Sequence, residues 1–169
     1  MADIKIRNIE PTDPQIISAA FDRIGWNKSI EQYQKYYEES QTGDRDVIVA
    51  THGTDFLGYG TIVWTPQYIP FKEKNIPEIQ DLNVLPAFRR KGVASLIMNE
   101  AELRISKRTN VAGLGVGLIA DYGSAQRMYV NRGYIPDGNG ITYNYQVISY
   151  GDTVLCDDDL VLWFTKKLN

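Results

Sequence analysis

Residues 111–119 read VAGLGVGLI, an uncharged apolar run of strand length, and it restricts the fold more than any other stretch of the chain. A strand whose side chains are apolar in both directions has no face to offer to water, so both faces need cover. Helices on the two sides of a parallel sheet supply such cover, which directs the reading to an α/β domain. Signals elsewhere agree. Ile4, Ile6 and Ile9 approximate a strand's alternation, and the segment from Pro11 to Pro14 breaks it and offers N-cap candidates for a helix over 14–24. Ser29, with Gln32 three residues later, is a capping-box signature for a second helix that runs to Ser40 and is closed by Gly43. Residues 47–50 and 56–63 are β-rich runs joined by hairpin-turn composition. Pro66, Pro70 and Pro77 punctuate a long loop, 79–85 is a further strand ended by Pro86, and 92–107 carries apolar residues at helical spacing. A short helix over 123–131 ends at Gly133, and a polar, hairpin-rich tail closes on a strand over 160–165.

The 169 residues are 43% hydrophobic and 23% charged, which suits one globular domain spanning 1–169, with no linker or repeat to divide it. A formal charge of -3 argues against a nucleic-acid binder, whose signature is a broad basic surface. No apolar stretch of about 18 residues or more occurs, so no membrane partner is expected either. Cys156 is the only cysteine and His52 the only histidine, which excludes an internal disulfide and a cysteine-based zinc site and leaves no metal to expect. With no secretory signature at the N-terminus, the expected compartment is the cytoplasm.

Against this acidic background, residues 84–98, VLPAFRRKGVASLIM, place three cations directly before a glycine that opens an apolar helical run. Cations ahead of a first helical turn face the positive end of the macrodipole, at a cost of roughly a few tenths of a kcal/mol. A strand, a tight proline-containing connection and Arg89-Arg90-Lys91-Gly92 opening a helix fit either a solvated basic loop or a pyrophosphate cradle. Two other phosphate motifs fail. No Gly-Lys-Ser/Thr of a P-loop exists, and Gly113, Gly115 and Gly117 lie in G-x-G-x-G spacing inside an apolar run rather than at a strand-to-helix turn. Those glycines are expected to let a neighbouring backbone or an elongated ligand approach the sheet.

Ile79-Gln80-Asp81-Leu82-Asn83-Val84 followed by Arg89-Arg90-Lys91-Gly92-Val93-Ala94 resembles motif A of the GCN5-related N-acetyltransferases. Ala125-x-x-x-Tyr129-x-x-x-Gly133-Tyr134 resembles the family's second signature, and the wording of the first is similar to uncharacterised bacterial members. The resemblance is firm over 78–134. It implies the GNAT fold: a mixed central sheet of about six to seven strands, splayed in a V between two parallel strands after a β-bulge and flanked by about four helices.

It also implies acetyl-CoA as cosubstrate. Carried over position by position, the backbone of Leu82, Asn83 and Val84 would meet the pantetheine and the thioester oxygen. Arg89, Arg90, Lys91, Gly92, Val93, Ala94 and Ser95 would hold the pyrophosphate. Where the family often has an asparagine on pantetheine, Tyr122 stands here, which turns attention to Ser124, with Met128 on the same helix. Tyr129 matches the tyrosine that protonates the departing thiolate in many members. Glu78 and Asp81 match carboxylates that act on, or contact, the amine in others; a loop carboxylate and a turn anchor are their plainer alternatives. Trp26, Tyr68 and Phe71 are candidates for an acceptor wall. The implied activity is direct acetyl transfer to a primary amine of a small molecule or peptide by a monomer or homodimer. A CoA-binding regulatory module and a transferase of a longer acyl group are the alternatives.

Overall fold

The computed structural model describes residues 3–169. Along the described chain the order is β1 (Lys5–Asn8), α1 (Asp13–Asp22), α2 (Ile30–Thr42), β2 (Arg45–His52), β3 (Asp55–Val63), α3 (Ile69–Glu73), β4 (Glu78–Val84), α4 (Val93–Ser106), β5 (Val111–Gly117), α5 (Gly123–Asn131), β6 (Ile135–Tyr143), β7 (Gln146–Val147) and β8 (Leu160–Lys167). This is a mixed α/β fold with one helix more than the sequence signals and two further strands, β6 and β7, in the polar tail. The additional helix, α3, forms inside the proline-punctuated loop. Pro70 sits in its first turn, where a missing N–H costs nothing, and the amides of Phe71 and Lys72 bond to the Tyr68 carbonyl.

Two compact units make up the molecule: the chain up to Trp64 with Ile79–Arg104, and Thr65–Glu78 with Ile105–Asn169. In the first, strands run in the order β1-β2-β3-β4, with β1, β2 and β3 antiparallel. A two-residue turn, Gly53-Thr54, joins β2 to β3, and Gly53 takes the left-handed φ of +57 that such turns require. Phe21 of α1 is the centre of the core. Its ring stacks on Trp26 at 5.6 Å and meets Phe56 and Tyr59 edge-on at 6.0 and 6.1 Å, an arrangement that matches negative ring faces to positive edges.

In this unit α1 and α2 have polar anchors at their starts. At α1 it is Asp13, not the Thr12 side chain, that does this. Its carboxylate, 1% exposed, accepts the Glu10 amide and both ends of the Arg7 guanidinium, at 2.6 and 2.8 Å. At α2 Ser29 caps the Gln32 amide at 3.4 Å and Gly43 ends the helix at φ +84, as expected. The reciprocal half of the capping box is absent because the Gln32 side chain is engaged elsewhere, as described below. Gly58 and Gly60 of β3 let β4 and α4 close in. A Cβ would stand 2.5 Å from the Asn83 carbonyl oxygen at the first and 2.8 Å from Ile97 Cγ2 at the second.

In the second unit the order is β5-β8-β6-β7, each neighbouring pair antiparallel. Trp163 of β8 stacks on Tyr68 at 4.1 Å and takes the edge of Phe71 at 5.4 Å. The glycines of β5 serve this core rather than a ligand or another backbone, which corrects the expectation from their spacing. Gly113 lies under the Phe71 ring, Gly115 under Val161 and Trp163, and Gly117 under the Tyr122 ring. An alanine methyl at any of the three would collide with the ring above it. Between Pro136 and Ile141 the pairing of β6 with β8 is interrupted, and Asp137 turns in to accept the Tyr68 hydroxyl at 2.8 Å. The acidic turn before β8 is internally bonded. Asp157 accepts the Asp159 amide and the Tyr143 hydroxyl, and Asp158 accepts the Tyr122 hydroxyl.

Candidate functional site

The site of the first unit is built on an irregularity in β4. Asp81 sits inside the strand at φ +54, in the left-handed region that a side chain enters only at a cost. Gln80, Asp81, Leu82 and Asn83 are all half-buried instead of alternating, as expected of a β-bulge that resets which way side chains point. Five donors hold the Asp81 carboxylate in place. Asn83 Nδ2 (2.6 Å) and Lys28 Nζ (3.3 Å) reach Oδ1; Gln32 Nε2 (3.2 Å), the Tyr36 hydroxyl (3.1 Å) and the Tyr59 hydroxyl reach Oδ2. A carboxylate offers about four lone-pair directions, so this one is fully engaged, and a proton placed on it would displace a donor. Burial first, and the charge of Asp81 second, push the Tyr36 and Tyr59 hydroxyls well above the ordinary phenol range. Both therefore stay protonated and donate.

Gln32 is legible in the sequence only as a capping residue, and Lys28, Tyr36 and Tyr59 escaped the reading; all four meet Asp81 from a distance. They lie between 22 and 53 residues from Asp81 along the chain. The only signal is the spacing of Gln32 and Tyr36, four apart on one face of α2, where Gln32 also donates to the Tyr36 hydroxyl at 3.0 Å.

Beyond β4 the chain makes a tight turn over Pro86–Phe88 and reaches the basic run. Arg90 at φ +58 and Gly92 at φ +84 are both left-handed, separated by Lys91 in an ordinary conformation. A Cβ on Gly92 would meet nothing within 4 Å, so glycine answers to the dihedral there and not to crowding. Left-handed residues alternating with ordinary ones turn successive N–H groups toward one concavity, a nest for anions. The first turn of α4, with Val93, Ala94 and Ser95, adds amides that have no acceptor within the helix, together with the positive end of its dipole.

All three cations are exposed. The Arg89 Nε donates to the Val84 carbonyl at 3.2 Å and its guanidinium lies 5.3 Å from the Trp26 ring centre, while Lys91 Nζ lies 5.5 Å from the Phe88 ring centre. Arg89 thus ties the end of β4 to the loop through its Nε, and Arg90 and Lys91 extend the exposed basic run beyond it. Amides in a concavity beside two exposed cations fit a diphosphate. Val84 is buried at the end of the strand, and Leu82 and Asn83 are half-buried beside the bulge.

The second unit carries the remaining candidates. Tyr129, on α5, is 8% exposed, packs against Tyr134 at 6.0 Å, and burial pushes its hydroxyl up to about 12. Ser124 is exposed in the first turn of α5 and Met128 half-buried on the same helix. Glu78 is the first residue of β4, 4% exposed, and so is not a loop carboxylate. Tyr68 and Phe71 are 0% and 1% exposed in the Trp163 cluster, which removes both from any open acceptor wall. Trp26 remains half-buried in the first unit, between Phe21 and Arg89 in its contacts. Among the described residues there is no cluster of side chains suited to a metal, and no helix is long and apolar enough to cross a membrane.

The model of the acetyltransferase (GNAT) family matches residues 10–134. No curated protein matches the sequence. Solved structures share the fold at low identity. An N-acetyltransferase from Staphylococcus aureus Mu50 superposes with a TM-score of 0.72 at 16% identity, covering 99% of this chain and 100% of that one. A spermidine N-acetyltransferase chimera from Vibrio cholerae gives 0.69 at 14% identity, covering 98% and 96%. A GNAT family acetyltransferase from Elizabethkingia anophelis with acetyl-CoA bound gives 0.63 at 14% identity, covering 99% and 100%.

Proposed function

The chain belongs to the acetyltransferase (GNAT) family, and from that premise we propose that it moves the acetyl group of acetyl-CoA directly onto a primary amine. The observation that carries this reading is the paired left-handed geometry of Arg90 and Gly92 at the start of α4, directly after a bulged strand. An added Cβ at Gly92 would meet nothing, so the glycine answers to its dihedral and not to crowding, and two left-handed residues flanking an ordinary one are the geometry of an anion nest.

The amides of residues 90–95, with the Arg90 and Lys91 side chains, would hold the diphosphate, and Leu82, Asn83 and Val84 would offer backbone groups to the pantetheine arm. Acetyl-CoA supplies an activated acyl group when bound. The Val84 amide, in this assignment, is the donor toward the carbonyl oxygen, where a preoriented N–H stabilises developing negative charge. Tyr129 holds the proton for the leaving thiolate. Its burial keeps the phenol neutral at every ordinary pH, which is the state an acid must start from. An alkylamine of pKa about 10.4 must lose a proton before it attacks. Glu78, rather than the fully engaged Asp81, is the carboxylate this reading leaves for that task, with Asp81 holding the bulge in shape.

Calorimetric titration with acetyl-CoA, followed by thiol release with a panel of primary amines, tests the proposal. Binding and amine-dependent release are expected. Tyr129→Phe should lower turnover by about 10- to 100-fold while changing acetyl-CoA affinity by less than about threefold. Tight CoA binding with no thiol release from any amine would make the chain a binding module instead, and no binding at all would overturn the reading.

A further inference from the structure

The Asp81 network contains an ammonium that the protein supplies itself. Lys28 Nζ stands 3.3 Å from Asp81 Oδ1, 5.4 Å from the centre of the Phe21 ring and 6.0 Å from that of Tyr59. One carboxylate oxygen and two aromatic rings around a single cation are what recognises a primary alkylammonium: a point charge for the N–H groups and apolar, electron-rich faces for the head and the last methylenes. The residues that shape this seat are themselves fixed. Asp81 is locked by the other four donors, Tyr59 is fully buried, and Phe21 lies at the centre of the core.

Lys28 is anchored by its backbone independently of the contacts at its tip. It lies in the connection between α1 and α2, where its amide donates to the Trp26 carbonyl at 2.8 Å and its carbonyl accepts the Ser18 hydroxyl at 3.3 Å. Its side chain is 25% exposed and that of Asp81 17%. A four-carbon stem on an anchored loop can swing outward and leave the seat behind it open to solvent. The two rings beside its head belong to the core, and they present to the ammonium the features that any other alkylammonium would use.

We propose that Asp81, Phe21 and Tyr59, with the Tyr36 hydroxyl completing the carboxylate's shell, form a binding seat for a primary alkylammonium, kept closed in the free protein by Lys28. An incoming amine competes with Lys28 for the seat, so Lys28 sets which amines enter and how tightly. The use of the seat for an acetyl acceptor rests on the transferase reading above; its existence does not.

The test is binding of 1,4-diaminobutane, measured by calorimetry without acetyl-CoA, to the wild type and to Lys28→Ala, Lys28→Gln and Lys28→Arg. Emptying the seat in the Ala and Gln variants should tighten binding by about tenfold, whereas the Arg variant, which keeps a cation on the same stem, should stay near the wild type. Adding Asp81→Asn to Lys28→Ala should abolish the gain. The Gln variant retains most of the stem and keeps the test open if the Ala variant folds poorly. Replacing the diamine by trialanine amide separates a small-molecule amine from a peptide N-terminus, because only the ligand that fits the ring-lined seat should show the gain. Equal affinity in all four proteins, or a gain that survives Asp81→Asn, would overturn the proposal. Tightened binding without thiol release once acetyl-CoA is added would leave the seat standing and overturn the transferase reading.

Discussion

At the scale of single residues, Asp81 concentrates more constraint than any other position described. It combines a left-handed backbone with five side-chain donors, so replacing it has two separable consequences. Asn tolerates the left-handed region and keeps one acceptor oxygen, whereas Ala does neither and leaves Lys28 and two tyrosine hydroxyls without their acceptor. Asp81→Ala should cost about 2–4 kcal/mol in urea denaturation, and Asp81→Asn about 1–2 kcal/mol less than that. Equal losses would mean that neither the dihedral nor the retained acceptor oxygen contributes. Lys28, Tyr36 and Tyr59 were invisible as partners of Asp81 because a bond between residues tens of positions apart leaves no local signature in the chain.

At the scale of elements, β5 shows how an apolar pattern is read correctly and still misassigned in detail. Its run of small and aliphatic residues marks a covered strand, and the strand is there, with Ala112, Leu114 and Val116 buried. What covers the glycines is a set of rings delivered by α3, β8 and the turn before α5. Gly113→Ala would drive a methyl into the Phe71 ring and should destabilise the protein by about 1–3 kcal/mol in thermal or urea unfolding. Gly123→Ala offers the contrast. Gly123 has an ordinary helical φ of -56 and open space around it, so the alanine should be neutral or stabilising by up to about 1 kcal/mol. If both substitutions were neutral, the packing described for β5 would be wrong. The elements with strong local grammar were legible from the sequence: Ser29 and Gly43 around α2, Pro86 after β4, Gly133 after α5. The helix α3 was not, since five residues with a proline among them carry too little periodicity to show.

At the scale of the whole molecule, burial of phenols ties stability to alkaline pH. The folded state raises the Tyr129 hydroxyl from 10.0 to about 12, so the native protein holds that proton where the unfolded chain has released it. The contribution is complete below pH 10 and is lost as pH rises from there toward 12, worth ~2–3 kcal/mol in all. Relative to Tyr129→Phe, the wild type should lose about that much additional stability across this interval, read from denaturant midpoints at matched pH. A parallel decline in the two proteins would place Tyr129 in contact with water. The acidic chain also shows why net charge does not determine what a site attracts. Within a formal charge of -3, Arg90 and Lys91 stand exposed beside a concavity of amides, and short-range geometry outweighs the distant field at ordinary ionic strength.

The sequence by itself determined the covered strand at 111–117, the Ser29 and Gly43 ends of α2, the stop at Gly133 after α5, and the glycine that precedes α4. Each depends on the conformational preference of a residue and of its immediate neighbours, which are present in any short piece of the chain. Tertiary structure alone decided that the Arg89 guanidinium lies by the Trp26 ring, that Tyr68 and Phe71 fill a core, and that the Asp81 carboxylate is met by a lysine from the α1–α2 connection. Those outcomes depend on which side chains arrive from far along the chain, and only the packed protein brings them within hydrogen-bond range.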